Sequence, residues 1–285
     1  MKKLKKILLL LSVFVLISLN CNSITSYAAT GKPTGKISDV KGKNHNFNSA
    51  TKIPVKKYVQ GRVENNSYSN SDYYKYKSTE KGYVQFNISR IKKNYRHLSL
   101  YVYDSNNRLL WEDSLIDNVT TTFKLNFKKG TTYYLKVETR GYANTYADKY
   151  DEYLIWAVET KSPYMEVEKN DNFVKASALA LNKNNSGIIM DGSDEDYFQF
   201  KAPENGTYRF TFSYTTGESI GYGWNMYFYN QDGDELKKKE SVMTRTTFSK
   251  KMKKGETAYI IITNSNYTYN VPIWGELYTI KVTKK

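Results

Sequence analysis

Apolar and polar residues alternate in short segments along most of the chain, with the period expected of strands that bury one face. The segments 83–88 (YVQFNI) and 208–212 (YRFTF) show this alternation most plainly. Turn-forming residues separate such segments, as at 104–107 (DSNN) and 231–234 (QDGD). The only stretch with some helical character is 171–181, where alanines recur. The pattern predicts an all-β protein.

Similar segments recur 124 to 126 positions apart. Four matches lie in the same order: 72–76 with 196–200, 81–86 with 205–210, 100–104 with 226–230, and 128–130 with 253–255. Collinear matches at one offset indicate a duplication. About eight short strands in each copy predict two tandem antiparallel β-sandwich domains of jelly-roll type. The copies span 44–160 and 164–285, and the sequence Lys161-Ser162-Pro163 marks the joint.

The N-terminal residues have the pattern of a secretory signal peptide. A lysine-rich start precedes an apolar run over 7–19, and small residues follow at 26, 28 and 29. We expect residues 1–29 to be removed and 30–43 to form a flexible leader. The alternative is an uncleaved membrane anchor, but the apolar run is shorter than the roughly 20 residues that span a bilayer. The prediction is a secreted protein with no stable membrane span after cleavage, either extracellular or associated with the cell surface.

The cysteine content limits the possible cross-links and catalytic groups, and the net charge indicates which partners attract the protein. Cys21 is the only cysteine and lies in the signal peptide, so the mature chain is cysteine-free and has neither disulfides nor a thiol nucleophile. The net charge of +15 becomes +11 once the four lysines of the signal peptide are gone. A basic exported protein is attracted to anionic surfaces and glycans. The sequence contains no nucleic-acid-binding motif, so nucleic acid is not an expected partner.

Catalytic motifs are missing from the sequence, and we predict that the protein is not an enzyme. His45 and His97 are the only histidines, and neither lies in a nucleophile or zinc motif. A glycan hydrolase needs only two carboxylates. Paired acids such as Glu166 and Glu168 therefore keep that alternative open.

The second copy resembles the bacterial pre-peptidase C-terminal (PPC) domain family, which is related to the collagen-binding domains of clostridial collagenases. The resemblance rests on the acidic opening segment 166–173 (EVEKNDNF), on Ala176 and Gly187, and on 194–200 (DEDYFQF). It continues through Gly206 and 254–255 to the closing segment 278–282. It implies two tandem PPC-like modules that act in binding.

The same resemblance implies a calcium site in the second module. The implied ligands are Glu166, Glu168, Asn170, Asp171, Asp194 and Asp196. Calcium takes six to eight oxygen ligands in irregular geometry, which this set can supply. Ser193 stands where the family often has an aspartate, so Asp191 or Asp194 would substitute.

The first module lacks the implied calcium ligands. Its residues at the equivalent positions are Val40, Gly42 and His45. The sequence therefore predicts at most one calcium ion per chain.

Aromatic residues cluster in the segment before the last strand of each copy. We predict ligand-binding roles for Tyr142 and Tyr146 in the first copy and for Tyr267, Tyr269 and Trp274 in the second. Such rings stack on sugars or pack against prolyl rings. The alternative is that the rings fold back over the open end of the sandwich.

Together these features predict a secreted, non-catalytic protein that binds an extracellular polymer (a glycan, cell wall or collagen-like protein) or a cell surface. One alternative is an accessory module for a secreted peptidase. The other is the paired-carboxylate glycan hydrolase.

Overall fold

The chain folds almost entirely into strands. The computed structural model describes residues 35–38, 43–55, 57–64, 71–91, 97–115, 119–122, 124–140, 150–191, 193–214, 223–264 and 275–285. The first eleven strands are β1 Gly35–Ser38, β2 Thr51–Lys52, β3 Lys57–Glu64, β4 Ser71–Lys77, β5 Gly82–Arg90, β6 His97–Tyr103, β7 Leu109–Leu115, β8 Val119–Thr121, β9 Leu125–Phe127, β10 Thr132–Arg140 and β11 Tyr150–Lys161. The others are β12 Ser177–Ala178, β13 Asn184–Ile188, β14 Asp196–Lys201, β15 Gly206–Tyr214, β16 Trp224–Tyr229, β17 Glu235–Val242, β18 Arg245–Met252, β19 Thr257–Asn264 and β20 Leu277–Lys284.

These strands form two β-sandwiches of two sheets each. In the first sandwich one sheet has the order β1-β3-β11-β5-β8, with β9 also paired to β5, and the other has the order β2-β4-β10-β6-β7. In the second sandwich the orders are β13-β20-β15-β18 and β12-β14-β19-β16-β17. The pairs β1–β3, β2–β4 and β12–β14 are parallel, and the other named pairs are antiparallel. The predicted all-β class with two sandwich domains is confirmed.

Each sandwich has its own hydrophobic core, built from the alternating residues of its strands. In β15 every second residue from Tyr208 to Tyr214 is buried while the residues between are more exposed, so one face of the strand fills the core. The core of the first sandwich is packed in the same way by residues of β4, β5, β6 and β10. Aromatic side chains are prominent in the core of the second sandwich, whereas aliphatic side chains outnumber them in the core of the first. This burial stabilises two sandwiches whose sequences contain no cysteine to form a disulfide.

A cluster of four rings occurs in both sandwiches on the outer face of one sheet. Phe47 lies edge-on to Tyr73, Tyr103 and Tyr134 at 5.0 to 5.3 Å between ring centroids. Phe173 makes the same contacts in the second sandwich, with Tyr197, Tyr229 and Tyr259, at 4.9 to 5.6 Å. The corresponding residues are 124 to 126 positions apart, which is the offset seen in the sequence.

Two segments differ from the sequence expectations. Gly35–Ser38 lies in the expected flexible leader but forms β1, which pairs with β3 through backbone groups. The candidate helix over 171–181 is limited to one short 3-10 turn at Phe173–Lys175, capped by the Asn172 side chain. Both segments pair through their backbones with a neighbouring strand, β1 with β3 and β12 with β14. Backbone pairing does not require alternating apolar residues, so the sequence gives no sign of it. Among the described residues there is no helix with the length and apolar character needed to cross a bilayer.

The two sandwiches contact each other beside the acidic segment. The Lys124 N–H of the first sandwich donates to the Gly275 carbonyl of the second at 3.2 Å. Met190 of the second sandwich packs against the core of the first. The acidic segment that follows the joint is therefore held between the sandwiches.

Candidate metal centre

The acidic opening segment is attached to the edge of the second sandwich by backbone hydrogen bonds. The Glu166 N–H donates to the Ser186 carbonyl at 2.8 Å, and the Ser186 N–H donates to the Tyr164 carbonyl at 3.0 Å. This pairing with β13 directs the Glu166 side chain inward, where it is almost fully buried. Asn170 is anchored to β14, because its carbonyl accepts from the Tyr197 N–H at 3.1 Å.

Five carboxylates and one amide from the predicted set converge at this point. One carboxylate oxygen from each of Glu166, Glu168 and Asp196 lies within 4.8 Å of the other two, and the same is true of Glu168, Asp171 and Asp194. Glu168 belongs to both groups and joins them. Asn170 reaches the first group, because its Nδ2 lies 3.5 Å from Glu166 Oε2. The structure thus brings together all six residues that the sequence suggested.

Burial in the centre varies from one residue to the next. Asp196 and Asn170 are fully buried, Glu168 and Asp194 are half-buried, and Asp171 is exposed. The cluster therefore runs from the interior, at Asp196, to the surface, at Asp171. An ion would enter the cluster from the Asp171 side.

Several of the carboxylate oxygens already have partners that fix their orientation. Glu166 Oε1 accepts from the Ile188 N–H at 2.7 Å, and Asp194 Oδ2 accepts from the Met190 N–H at 2.5 Å. The Tyr278 hydroxyl donates to Asp196 Oδ2. Each of these bonds fixes one oxygen of its carboxylate.

Two buried acceptors in the centre have no hydrogen-bond partner. They are Asp196 Oδ1 and Asn170 Oδ1, and both belong to fully buried side chains. An unpaired buried oxygen costs about 1–3 kcal/mol, and more when it is charged. Two such oxygens beside a cluster of carboxylates are what a bound cation would satisfy.

The electrostatics of the centre favour a cation or protons. Burial and the neighbouring Glu168 raise the pKa of Glu166 well above its usual range. Burial and the charge of Glu166 do the same to the pKa of Asp196. Burial, with repulsion from Glu168, raises the pKa of Asp194 to about 8. Carboxylates this close cannot all be ionised in a buried place unless a positive charge joins them.

Asp191 behaves differently from the other acids of this region. Burial acts to raise its pKa, but hydrogen bonds from the Ser193 hydroxyl and N–H, together with the charge of Arg108, outweigh burial and lower it. Asp191 Oδ1 accepts both Ser193 bonds, at 2.7 and 2.9 Å. Asp191 is therefore engaged with Ser193, and Asp194 is the residue that joins the acidic cluster.

Gly187 makes room for the buried side chains. A Cβ atom at this position would lie 2.2 Å from the Tyr278 hydroxyl oxygen and 2.7 Å from Glu166 Oε2. No side chain fits at those distances. The glycine therefore allows a tyrosine and a carboxylate to approach the backbone of β13 closely.

The first sandwich has a related polar group without the acidic cluster. The Tyr153 hydroxyl donates to Asp72 Oδ2 at 2.5 Å and lies 2.8 Å from the Tyr74 hydroxyl. A Cβ at Gly61 would lie 2.3 Å from the Tyr74 hydroxyl. In the first sandwich a neutral tyrosine hydroxyl thus occupies the place that the Glu166 carboxylate takes in the second.

The first sandwich also reaches into the metal centre of the second. Asn126 Nδ2, from β9, donates to Glu166 Oε1 at 2.8 Å and to Glu168 Oε1 at 3.0 Å. A cleft of about 330 Å³ opens beside these residues and is lined on one side by Asp104, Arg108 and Asn126 and on the other by Glu168, Asp171 and Asp194. The acidic cluster therefore lies at the junction of the two sandwiches.

Three residues of this centre were not predicted as part of it, although Gly187 and Tyr278 belong to segments that carry the family resemblance. Tyr278 and Gly187 recur at the repeat offset, as Tyr153 and Gly61, so a search for matched polar and glycine positions could have found them. Asn126 has no such signal, because its partners lie in the other sandwich. The predicted ligand-binding residues Tyr142, Tyr146, Tyr267, Tyr269 and Trp274 lie outside the described residues.

Comparison with known proteins gives weak likenesses only. No protein-family model matches the chain, and neither does any curated protein. The pre-peptidase C-terminal domain of a collagenase from Bacillus anthracis is similar at 13% identity over 38% of this chain and 93% of that domain, with a TM-score of 0.28.

Two other solved structures cover more of the chain. A tandem of two CBM22 domains of Xyn10C from Paenibacillus barcinonensis is similar at 9% identity over 80% of this chain and 91% of the tandem, with a TM-score of 0.24. A putative secreted protein from Eubacterium rectale is similar at 8% identity over 79% of this chain and 74% of that protein, also with a TM-score of 0.24. Scores this low carry no weight, so function must be argued from the geometry of the chain itself.

Proposed function

We propose that this chain is a secreted, non-catalytic binding protein of two PPC-like modules, and that calcium stabilises the second module. The observation that carries the proposal is the convergence of Glu166, Glu168 and Asp196 around unpaired buried oxygens. The expected residence is extracellular, and the expected partner is a polymer or a cell surface.

Calcium fits this donor set better than other ions do. The converging side chains offer only oxygen ligands, whereas zinc and copper sites use imidazole or thiolate groups. Calcium also accepts irregular arrangements of six or more oxygens, while magnesium requires a near-ideal octahedron. A bound calcium ion would supply the positive charge that allows Glu166, Glu168, Asp194 and Asp196 to be ionised together.

The first sandwich has no comparable set of oxygens. Its Asp72 meets two tyrosine hydroxyls where the second sandwich has further carboxylates. Hydroxyl groups without charge bind calcium weakly. This contrast supports one calcium ion per chain, in the second module.

The geometry counts against the paired-carboxylate hydrolase. In glycosidases the two carboxyl groups stand roughly 5–9.5 Å apart across an open cleft. Here Glu166 faces no open cleft, because it is 2% exposed and hydrogen-bonded to Ile188 and Asn126. A substrate could not reach Glu166 without displacing these partners.

Retention of the mature protein on solid polymers tests the binding role. The secreted chain is passed over collagen, chitin, cellulose and purified cell wall, with calcium and with a chelator. We expect retention on at least one of them, and two modules should bind a repetitive polymer more tightly than one through avidity. If the protein is retained on none of the four polymers at low salt, the binding role is refuted. Co-purification of a secreted peptidase encoded by a neighbouring gene would favour the accessory role instead.

A further inference from the structure

The outer face of the sheet β13-β20-β15-β18 is polar and at least partly exposed along β20, β15 and β18. In β15 the side chains of Tyr208, Phe210 and Phe212 face the core, while Arg209 and Thr211 face outward. The neighbouring strands alternate in the same way, so hydroxyl and basic side chains cover this face. We call it the basic face.

The strand registers arrange the basic face in four rows. The rows across β20, β15 and β18 are Thr207 with Lys251; Thr283, Arg209 and Ser249; Lys281, Thr211 and Thr247; and Thr279, Ser213 and Arg245. Every row has one cationic side chain. No row contains a carboxylate, an aromatic ring or an aliphatic side chain.

The four cations of the basic face make no ion pair among the described residues. Other lysines of this sandwich do, for example Lys250 with Glu256 at 2.7 Å and Lys238 with Glu240 at 2.8 Å. Residues 164–285 contain 16 Lys or Arg and 15 Asp or Glu. The module is therefore close to neutral overall, and the basic face holds four of its 16 Lys and Arg residues with no acidic residue among them.

We propose that the basic face binds a linear anionic polysaccharide. This inference rests on the polymer-binding role proposed above and names the class of polymer. Successive rows are about 7 Å apart, because a strand advances about 3.4 Å per residue. The cations of Lys251, Arg209, Lys281 and Arg245 thus follow a zigzag about 20 Å long. The threonine and serine hydroxyls between them can donate to and accept from sugar hydroxyls.

Other polymers fit the basic face less well. Single-stranded nucleic acid is held by stacking of its bases on aromatic side chains, and the rows offer none. Protein interfaces depend on buried aromatic or aliphatic anchors, which the rows also lack. A polymer with dispersed negative charges and many hydroxyls matches what the face presents.

The first sandwich lacks this face. On the corresponding side of its equivalent sheet β11 carries Trp156, which is buried and packs against Tyr58 at 5.1 Å between ring centroids. Glu152 also lies on the outward side of β11, since Tyr153 and Ile155 are buried. Binding of an anionic polysaccharide is therefore expected from the second sandwich.

Neutralisation of two central cations tests the proposal. The double variant Arg209→Gln/Lys281→Gln is compared with Lys239→Gln/Lys254→Gln, which removes the same charge from exposed positions elsewhere in this sandwich. The probes are polygalacturonate, dextran sulfate, neutral dextran and a single-stranded DNA, at 50 and 200 mM salt. We expect the first variant to bind the two anionic polysaccharides about tenfold more weakly and the control to change by less than about twofold.

Removal of hydroxyls alone provides a second test. Thr211→Val/Thr247→Val keeps side-chain shape and charge at one partly exposed and one exposed position, so folding should survive. We expect weaker binding of polygalacturonate, because hydrogen bonds to the sugar units are lost. Equal weakening by the two charge variants, preference for DNA, or no binding to either anionic polysaccharide would overturn the proposal. If Arg209→Gln/Lys281→Gln still binds collagen, chitin, cellulose or cell wall as the wild type does, the binding role stands without this face.

Discussion

Asn126 of the first sandwich donates a hydrogen bond from Nδ2 to Glu166 Oε1 of the second, at 2.8 Å. Its Nδ2 also donates to Glu168, and its own carbonyl accepts from the Tyr133 hydroxyl. Asn126 is 5% exposed, so the bond is shielded from water. One side chain of the first sandwich therefore orients two carboxylates of the acidic centre in the second.

Removal of this side chain should weaken calcium binding in the other sandwich. Loss of a group that orients metal ligands typically lowers affinity about 10–100-fold, and we expect the lower end for Asn126→Ala. Isothermal titration of the full chain with calcium measures the change. The matched control is Asn87→Ala, at a buried asparagine of β5, which should leave calcium affinity unchanged. Equal affinities in wild type and Asn126→Ala would show that the first sandwich plays no part.

Calcium should raise the melting temperature of the second sandwich. The gain in unfolding free energy is expected to follow RT ln(1 + [L]/Kd), about 2.7 kcal/mol at a hundredfold excess over Kd. Differential scanning calorimetry with increasing calcium measures it. The Asp196→Asn variant should lose the gain, because it removes a buried ligand. The control Asp72→Asn alters the equivalent acid of the first sandwich and should show the same calcium-dependent rise in melting temperature as the wild type. If Asp196→Asn also showed that rise, Asp196 would not be a calcium ligand.

Without calcium, stability should fall as pH rises from about 5 to 8. The pKa of Asp194 is raised to about 8 and those of Glu166 and Asp196 are also raised, so the folded chain holds protons that the unfolded chain has already released. The free energy of unfolding falls with rising pH wherever the folded state binds more protons than the unfolded state. Melting temperatures in chelator across this range test the sign. Asp194→Asn should flatten the dependence, and an unchanged slope in that variant would argue against the assignment.

Calcium binding should correspondingly release protons. An ion that replaces protons on Asp194 and Glu168 binds more weakly as pH falls below about 8. Calcium titrations in buffers of different ionisation enthalpy give the number of protons released at pH 7. A value of zero would mean that these carboxylates are ionised before the ion arrives.

Alanine at Gly187 or Gly61 should destabilise the corresponding sandwich by about 1–3 kcal/mol or more, because overpacking a close contact has that cost. At Gly187 the added Cβ meets Tyr278 and Glu166, and at Gly61 it meets Tyr74 and Tyr153. Gly206→Ala is the control, since its Cβ would meet only the flexible end of Lys284. Urea unfolding measures the free energy of unfolding of the three variants. If Gly187→Ala were as stable as the wild type, Tyr278 and Glu166 would not pack as closely against β13 as described.

The acidic centre was predictable to different degrees. Glu166, Glu168, Asn170 and Asp171 lie within six positions of one another, so their proximity follows from the chain, and the family resemblance added Asp194 and Asp196. The choice between Asp191 and Asp194 depended on hydrogen bonds from Ser193 and Met190, which no pattern of residue types reveals. The participation of Asn126 and Tyr278 depended on contacts across 40 and 112 positions.

The sequence by itself determined the strand class, the repeated order of segments and the residue types of the acidic centre. These follow from local preferences: alternating apolar residues bury one face of a strand, and matched segments fold alike. Tertiary structure alone decided that Gly35–Ser38 joins a sheet, that a hydroxyl replaces a carboxylate beside Gly61, and that the two sandwiches meet at Asn126. Such features depend on which distant backbone and side-chain groups become neighbours, and that is settled only when the sheets pack and exclude water.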